Sequence, residues 1–112
     1  MNFTNVKEIT IPEGVKSIEE ATFENCSRLT SINIPQSVTS IGKNAFNNCT
    51  NLKSINIPST VSVISGECFI NCGNITDVTL NENNPNFILE NGILYDKDKF
   101  KILFALKNID AD

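Results

Sequence analysis

Apolar and polar positions alternate along this chain in a pattern that returns every 23 residues. In Ser31–Ile34 the apolar residues fall at every second position, which predicts a strand with one buried face. Pro35 should end that strand, because proline cannot donate a hydrogen bond to a neighbouring strand. The same rhythm recurs one period later at Ser54–Ile57, again followed by proline. A fixed period of this length indicates a solenoid, in which each coil stacks on a copy of itself.

The remainder of the period predicts the rest of one coil. Val38 and Ile41 begin a second side, and Gly42 with its neighbours allows a bend. Ala45 and Phe46 should follow in a short helical or 3₁₀ turn that points bulk inward. Successive strands should be parallel, since every connection makes a full circuit in the same direction. Two apolar ladders are then expected in the core, one of Ile9, Ile32, Ile55 and Val78 and one of Phe23, Phe46 and Phe69.

The period predicts three parts of the chain. Residues 1–8 are the expected end of a preceding or capping repeat. Residues 9–80 hold the coils 9–31, 32–54 and 55–77, with the next coil starting at 78. The period fails after Leu80, so residues 81–112 are expected to form a cap.

The predicted cap is an antiparallel hairpin or meander. Its strands are expected at Phe87–Leu89, Ile93–Tyr95 and Phe100–Leu106. Asn91-Gly92 is a strong signal for a tight turn between the first two strands, and Asp96–Lys99 is a plausible second turn. The predicted fold is therefore an α/β-type repeat, mostly β, of parallel 23-residue coils closed by this cap.

Composition excludes some classes of function. The net charge is −4 and the nine lysines and arginines are scattered, which argues against a nucleic-acid groove. Histidine is absent from the sequence, which removes the commonest general base and metal ligand. No stretch approaches the roughly 20 apolar residues of a membrane span. Membrane insertion is therefore not expected. Met1–Thr4 resembles no export signal, so if the parent protein is exported, its signal should lie outside this sequence.

The repeats resemble a known family. Thr22–Ile41 and Ala45–Ile64 are similar in rhythm to the BspA-type leucine-rich repeats, which occur in surface proteins of bacteria and of parasitic protists. Asn84–Tyr95 also resembles the hairpin insert that these proteins carry. The resemblance spans roughly Ile9 to Leu106. It implies a leucine-rich-repeat solenoid that serves as an adhesin-like or protein-binding module, often on a cell surface, without catalysis. It carries over no defined binding site.

Four cysteines are the first candidates for chemistry. Cys26, Cys49 and Cys72 occupy one position in successive coils, and Cys68 lies four residues before the last of them. A metal site needs ligands that converge, whereas a ladder spreads its sulfurs along the stack. A disulfide between adjacent coils needs Cβ vectors that point toward each other. We therefore favour buried thiols over a disulfide or a metal site.

Asparagine forms a second ladder at Asn25, Asn48 and Asn71. One interpretation is that the amide side chains satisfy backbone groups at a bend. The alternative is glycosylation, since N-x-[ST] occurs at Asn2, Asn25, Asn48 and Asn74. The structural role is favoured, because two of these motifs arise from the repeat itself.

Candidate catalytic groups are scarce. Glu19, Glu20 and Glu24 cluster in the first coil, but paired carboxylates act as acid and base only where their environments separate their pKa values. These positions face outward, and Gly42, Lys43 and Asn47 replace them one coil later. A solvated face is the favoured interpretation, and neither an enzyme nor a cofactor is expected.

The outward positions of the predicted strands form the candidate partner-binding strip. Regularly spaced solenoid faces suit extended partners, although no aromatic residue or arginine projects from this one. An inert, solvated sheet is the alternative. The strip consists of Glu8, Thr10, Ser31, Asn33, Ser54, Asn56, Asp77 and Thr79.

These observations lead to one principal hypothesis of function and two alternatives. The first is a non-catalytic module of a cell-surface or secreted protein, which binds a protein or glycan, with a host or matrix component suspected. The second is an architectural spacer within a longer solenoid. The third is a cytoplasmic interaction scaffold. The oligomeric state stays open.

Overall fold

The computed structural model describes residues 6–65, 67–97 and 101–105. Across these ranges the chain forms ten strands and no helix. The described residues therefore include no helix that could cross a membrane. Residues 1–5 and 106–112, which the predicted first and last parts include, lie outside the described ranges. The division of the chain into residues 1–8, 9–80 and 81–112 stays a prediction.

Two parallel sheets run along the stack of coils. Sheet A consists of β1 (Glu8–Thr10), β3 (Ser31–Asn33), β5 (Ser54–Ile57) and β7 (Asp77–Leu80), and sheet B of β2 (Ser17–Ile18), β4 (Ser40–Ile41) and β6 (Val63–Ile64). Neighbouring strands pair one period apart, so that Ile9, Ile32, Ile55 and Val78 lie side by side. The predicted parallel coils are confirmed.

The predicted phenylalanine ladder lies in the core. The rings of Phe23 and Phe46 stack with centroids 5.6 Å apart, and so do the rings of Phe46 and Phe69. This separation lies within the range in which stacked aromatic rings attract each other. Phe46 has no exposed surface, because a coil covers it on each side.

The helical turn predicted at Ala45 and Phe46 is wrong. The Ala45 N–H does donate to the carbonyl of Gly42, three residues back. However, the Phe46 N–H donates to the Cys68 carbonyl of the next coil at 3.0 Å. Asn44, just before, has a φ of 60°, which lies outside the right-handed helical region. The segment therefore forms separate turns and no helix, because alternate N–H groups bond to the next coil.

The last described residues form the predicted antiparallel meander. Its strands are β8 (Phe87–Glu90), β9 (Ile93–Asp96) and β10 (Lys101–Ala105), with β9 in the middle. Asn91 and Gly92 have φ values of 55° and 79°, as a two-residue type I′ turn requires. The second predicted turn, Asp96–Lys99, includes residues 98 and 99, which lie outside the described ranges.

A buried asparagine joins the last coil to the meander. Asn84 stands one period after Val61, and only 8% of its surface is exposed. Its Nδ2 donates to the carbonyls of Pro58 and Val61 at 2.8 and 3.0 Å, and its Oδ1 accepts from the Asn86 N–H. The polar side chain is thus bonded through both of its amide atoms, as burial requires.

Candidate binding surface

The structure brings the residues of the candidate strip onto one face of sheet A. Glu8, Ser31, Ser54 and Asp77 are aligned across the four strands. Toward the other end of the strands, Thr10 pairs with Asn33 and Asn56 pairs with Thr79. All eight side chains are exposed or half-buried, whereas the isoleucines between them point into the coil.

One member of the strip also holds the sheet together. The Oδ1 atom of Asn56 accepts from the Ile34 N–H at 2.8 Å, and its Nδ2 donates to the Ile34 carbonyl at 2.8 Å. Strand β3 ends at Asn33, so this amide replaces the strand neighbour that the backbone of Ile34 would otherwise have. Asn56 is therefore a poor position for testing binding, because its substitution would also disturb the sheet.

A groove of about 570 Å³ lies where the strands of sheet A end. The residues that line it come from one end of the strip and from the turns that follow the strands. The groove was not predicted from the sequence, although the proline after three of the four strands of sheet A was a signal for a repeated turn at that edge. The lining residues are Thr10, Ile11, Pro12, Glu13, Asn33, Ile34, Pro35, Gln36, Asn56, Ile57, Pro58, Thr79 and Asn81.

All four cysteines are buried free thiols, as predicted. The thiols of Cys49 and Cys72 donate to the carbonyls of Phe23 and Phe46 at 3.2 and 2.8 Å. A hydrogen bond with Cys72, together with burial, raises the pKa of Cys49, and burial raises the pKa of Cys68. Cys49 and Cys68 are therefore poor nucleophiles, because the thiolate is the reactive form, whereas the hydrogen bond with Cys49 lowers the pKa of Cys72. Within the described ranges, no group of three potential ligand side chains is placed to hold a metal ion.

The asparagine ladder differs from the prediction. The Asn48 Nδ2 donates to Asn25 Oδ1 at 2.8 Å, and the Asn71 Nδ2 donates to Asn48 Oδ1 at 2.7 Å. The amides therefore bond to each other and not to the backbone of the bend. All three residues have φ between 61° and 66°, a conformation that asparagine tolerates better than most residues. The bend needs asparagine for its backbone conformation, and the side chains then stack.

Two substitutions of Asn48 separate these contributions. Asn48→Ala should destabilise the protein by about 1–2 kcal/mol, because it loses the ladder and strains the backbone at positive φ. Asn48→Gly should be less destabilising, since glycine adopts this φ without strain. Urea unfolding followed by circular dichroism measures both. Equal losses would show that the left-handed conformation does not determine the choice of asparagine.

The acidic residues of the first coil make local contacts. The Ser17 hydroxyl donates to the Glu19 carboxylate, and the Asn47 Nδ2 donates to Glu24 Oε2 at 3.2 Å. Glu19 and Glu20 are exposed, as expected of a solvated face. Glu19 thus has a hydrogen-bond partner within its own coil, and Glu24 has one in the next coil.

Comparison with known families decides the relationship of this chain. Six copies of the BspA type leucine rich repeat region match residues 1–101. The chain belongs to the BspA-type leucine-rich repeat family. The resemblance inferred from the repeated phenylalanine, cysteine and isoleucine positions is thereby confirmed.

Solved structures similar to this BspA-type chain are bacterial leucine-rich repeat proteins. A leucine rich cell surface protein from Faecalibacterium prausnitzii is 32% identical, with a TM-score of 0.75 over 83% of this chain and 24% of its own. The T. pallidum leucine rich repeat protein is 29% identical, with a TM-score of 0.59 over 61% of this chain and 32% of its own.

A third structure shares the fold at lower identity. The pneumococcal vaccine antigen PcpA is 21% identical, with a TM-score of 0.61 over 94% of this chain and 36% of its own. This BspA-type chain therefore spans between about a quarter and a third of the length of these relatives. A comparison with curated proteins gives no match.

Proposed function

We propose that this chain is a non-catalytic, adhesin-like interaction module of a larger cell-surface protein. It binds an extracellular protein or glycan through the strip on sheet A. The observation that carries the proposal is the alignment of eight polar side chains on one open sheet face, with a groove at its edge. The surface location is supported by the F. prausnitzii protein, which is a cell surface protein.

A non-catalytic role fits the chemistry of the side chains. The sequence contains no histidine, and its four thiols are buried. Burial raises the pKa of Cys68, and the sequence offers no histidine to activate Cys72, whose pKa is lowered by its hydrogen bond with Cys49. An array of serine, threonine and asparagine side chains is better suited to binding through many weak contacts than to catalysis.

The test places charge on the strip without touching Asn56. We expect the double variant Ser31→Lys/Asn33→Glu to bind cells or immobilised matrix components at least roughly tenfold more weakly, a change of about 1.4 kcal/mol. Bulky charged groups at the middle of the strip would block a partner that lies across it. Adhesion of beads coated with the protein measures the effect. The matched control is Val63→Lys, since Val63 is 57% exposed and lies on sheet B.

Two results would contradict the proposal. If the double variant folds and adheres as well as the unmodified chain, sheet A is not the binding face. If Val63→Lys reduces adhesion equally, the loss reflects charge and not the strip. Either result would favour the architectural spacer, and a parent protein without an export signal would favour the cytoplasmic scaffold.

A further inference from the structure

We propose that the groove at the edge of sheet A binds a neutral, hydroxyl-rich glycan chain that runs across the coils. The inference rests on the proposed function, because the groove includes one end of the strip. It narrows the partner from a protein or glycan to one chemical class.

Charge is the first argument for a neutral ligand. Glu13 is the one ionisable side chain among the residues that line the groove, and neither lysine nor arginine lies among them. A sulfated or uronic acid chain would bring its negative charge toward this carboxylate with no cation to offset it. The groove therefore lacks what an anionic polymer requires, and a neutral chain meets no such repulsion.

Hydrogen-bonding chemistry is the second argument. Thr10, Asn33, Gln36 and Thr79 line the groove with side chains that each donate and accept hydrogen bonds. A sugar hydroxyl also does both, so it can pair with any of these groups in either direction. Neighbouring strands lie about 4.8 Å apart, so similar groups recur at regular intervals along the groove. A regular series of such groups matches a polymer of repeating units.

Pro12 supplies exposed apolar surface beside these polar groups. Pro35 and Pro58 follow the next two strands of sheet A and also line the groove, but both are buried. A sugar ring has apolar C–H faces and polar hydroxyl edges. Pro12 beside amides and hydroxyls offers both kinds of surface.

A polypeptide partner fits the groove less well. Peptides that extend a sheet need unpaired backbone groups. In the groove, however, the N–H and carbonyl of Ile34 are already bonded to Asn56. Protein hot spots are enriched in tryptophan, tyrosine and arginine, and none of these lines the groove. The lack of aromatic stacking also implies weak affinity for each glycan unit, which repetition along a long solenoid would strengthen through avidity.

The experiment is an NMR titration of the ¹⁵N-labelled chain with three neutral oligosaccharides, namely cellohexaose, laminarihexaose and chitohexaose. We expect at least one of them to shift the backbone amides of Thr10, Asn33 and Thr79, with a dissociation constant of roughly 0.1–5 mM. The double variant Asn33→Leu/Thr79→Val removes two hydrogen-bonding groups and should weaken binding at least fivefold. The control Val63→Ala changes an exposed side chain of sheet B, outside both the strip and the groove, and should bind as the unmodified chain does.

Two outcomes would overturn the inference. One is that none of the three oligosaccharides shifts these amides at about 10 mM. The other is that a heparin hexasaccharide binds the groove more tightly than they do. If the double variant Ser31→Lys/Asn33→Glu still weakens adhesion in that case, the proposed function holds and the partner is not a neutral glycan. Conversely, oligosaccharide binding together with adhesion that ignores the strip would support the groove and contradict the adhesin-like role.

Discussion

Replacing Phe46 by alanine should lower the free energy of unfolding by about 3–5 kcal/mol. The ring has no exposed surface and stacks between Phe23 and Phe69 at 5.6 Å on either side. Its loss would leave a cavity that both neighbouring coils line. Because each coil is stabilised by its neighbours, damage to the middle ring weakens two interfaces at once. Urea unfolding followed by circular dichroism measures the change.

Two further variants control this prediction. Phe46→Leu keeps most of the apolar volume and should be clearly less destabilising, which gives a measurable value if the alanine variant does not fold. Ile102→Ala removes a side chain that is 63% exposed in β10 and should cost less than about 0.5 kcal/mol. A loss below about 1 kcal/mol for Phe46→Ala would mean that this ring does not hold the core together.

Substitution of Gly42 by alanine should destabilise the protein by about 1–3 kcal/mol. A Cβ atom at this position would lie 2.8 Å from the backbone nitrogen of Glu20 and 3.0 Å from the backbone carbon of Glu19. Both atoms belong to the backbone of the preceding coil, so they cannot move aside as the end of a side chain can. The Gly42 N–H also donates to the Ile18 carbonyl at 2.8 Å, which keeps the two coils close.

The matched control is Gly73→Ala. A Cβ atom at Gly73 would meet no heavy atom within 4 Å. Alanine there should be neutral, or stabilising by about 0.4–1 kcal/mol, because it reduces the conformational freedom of the unfolded chain. Thermal or urea unfolding of both variants decides the matter. Similar effects at the two positions would show that contact between coils is not what requires glycine at position 42.

The repeat predicted the core well because burial imposes the same demand on each coil. Phe23, Phe46 and Phe69 occupy one position in three successive coils, and a stack must place such residues above one another. Backbone conformation was harder to foresee. The repeated Asn48 position indicated a bend, but its φ of 65° and the amide contact with Asn25 depend on how neighbouring coils meet. The alternation of apolar and polar residues along one strand does not encode such contacts between coils.

The candidate strip shows the same division. Alternation in the strands placed Ser31 and Asn33 on an outward face, because the side chains of a strand point to opposite sides in turn. It could not distinguish Asn33 from Asn56, whose amide pairs with the backbone of Ile34. The groove was missed for a related reason. It arises from turns of several coils, whereas the repeat pattern describes a single coil.

The row of buried thiols provides intrinsic probes for each coil. Cys26 belongs to the first coil and Cys49 to the second, while Cys68 and Cys72 belong to the third. A buried thiol can be alkylated only during moments when its surroundings separate, so its labelling rate reports local opening. Mass spectrometry of partly alkylated protein would therefore rank the coils by how often each one opens locally. The solenoid could be mapped from end to end without adding a single foreign label site.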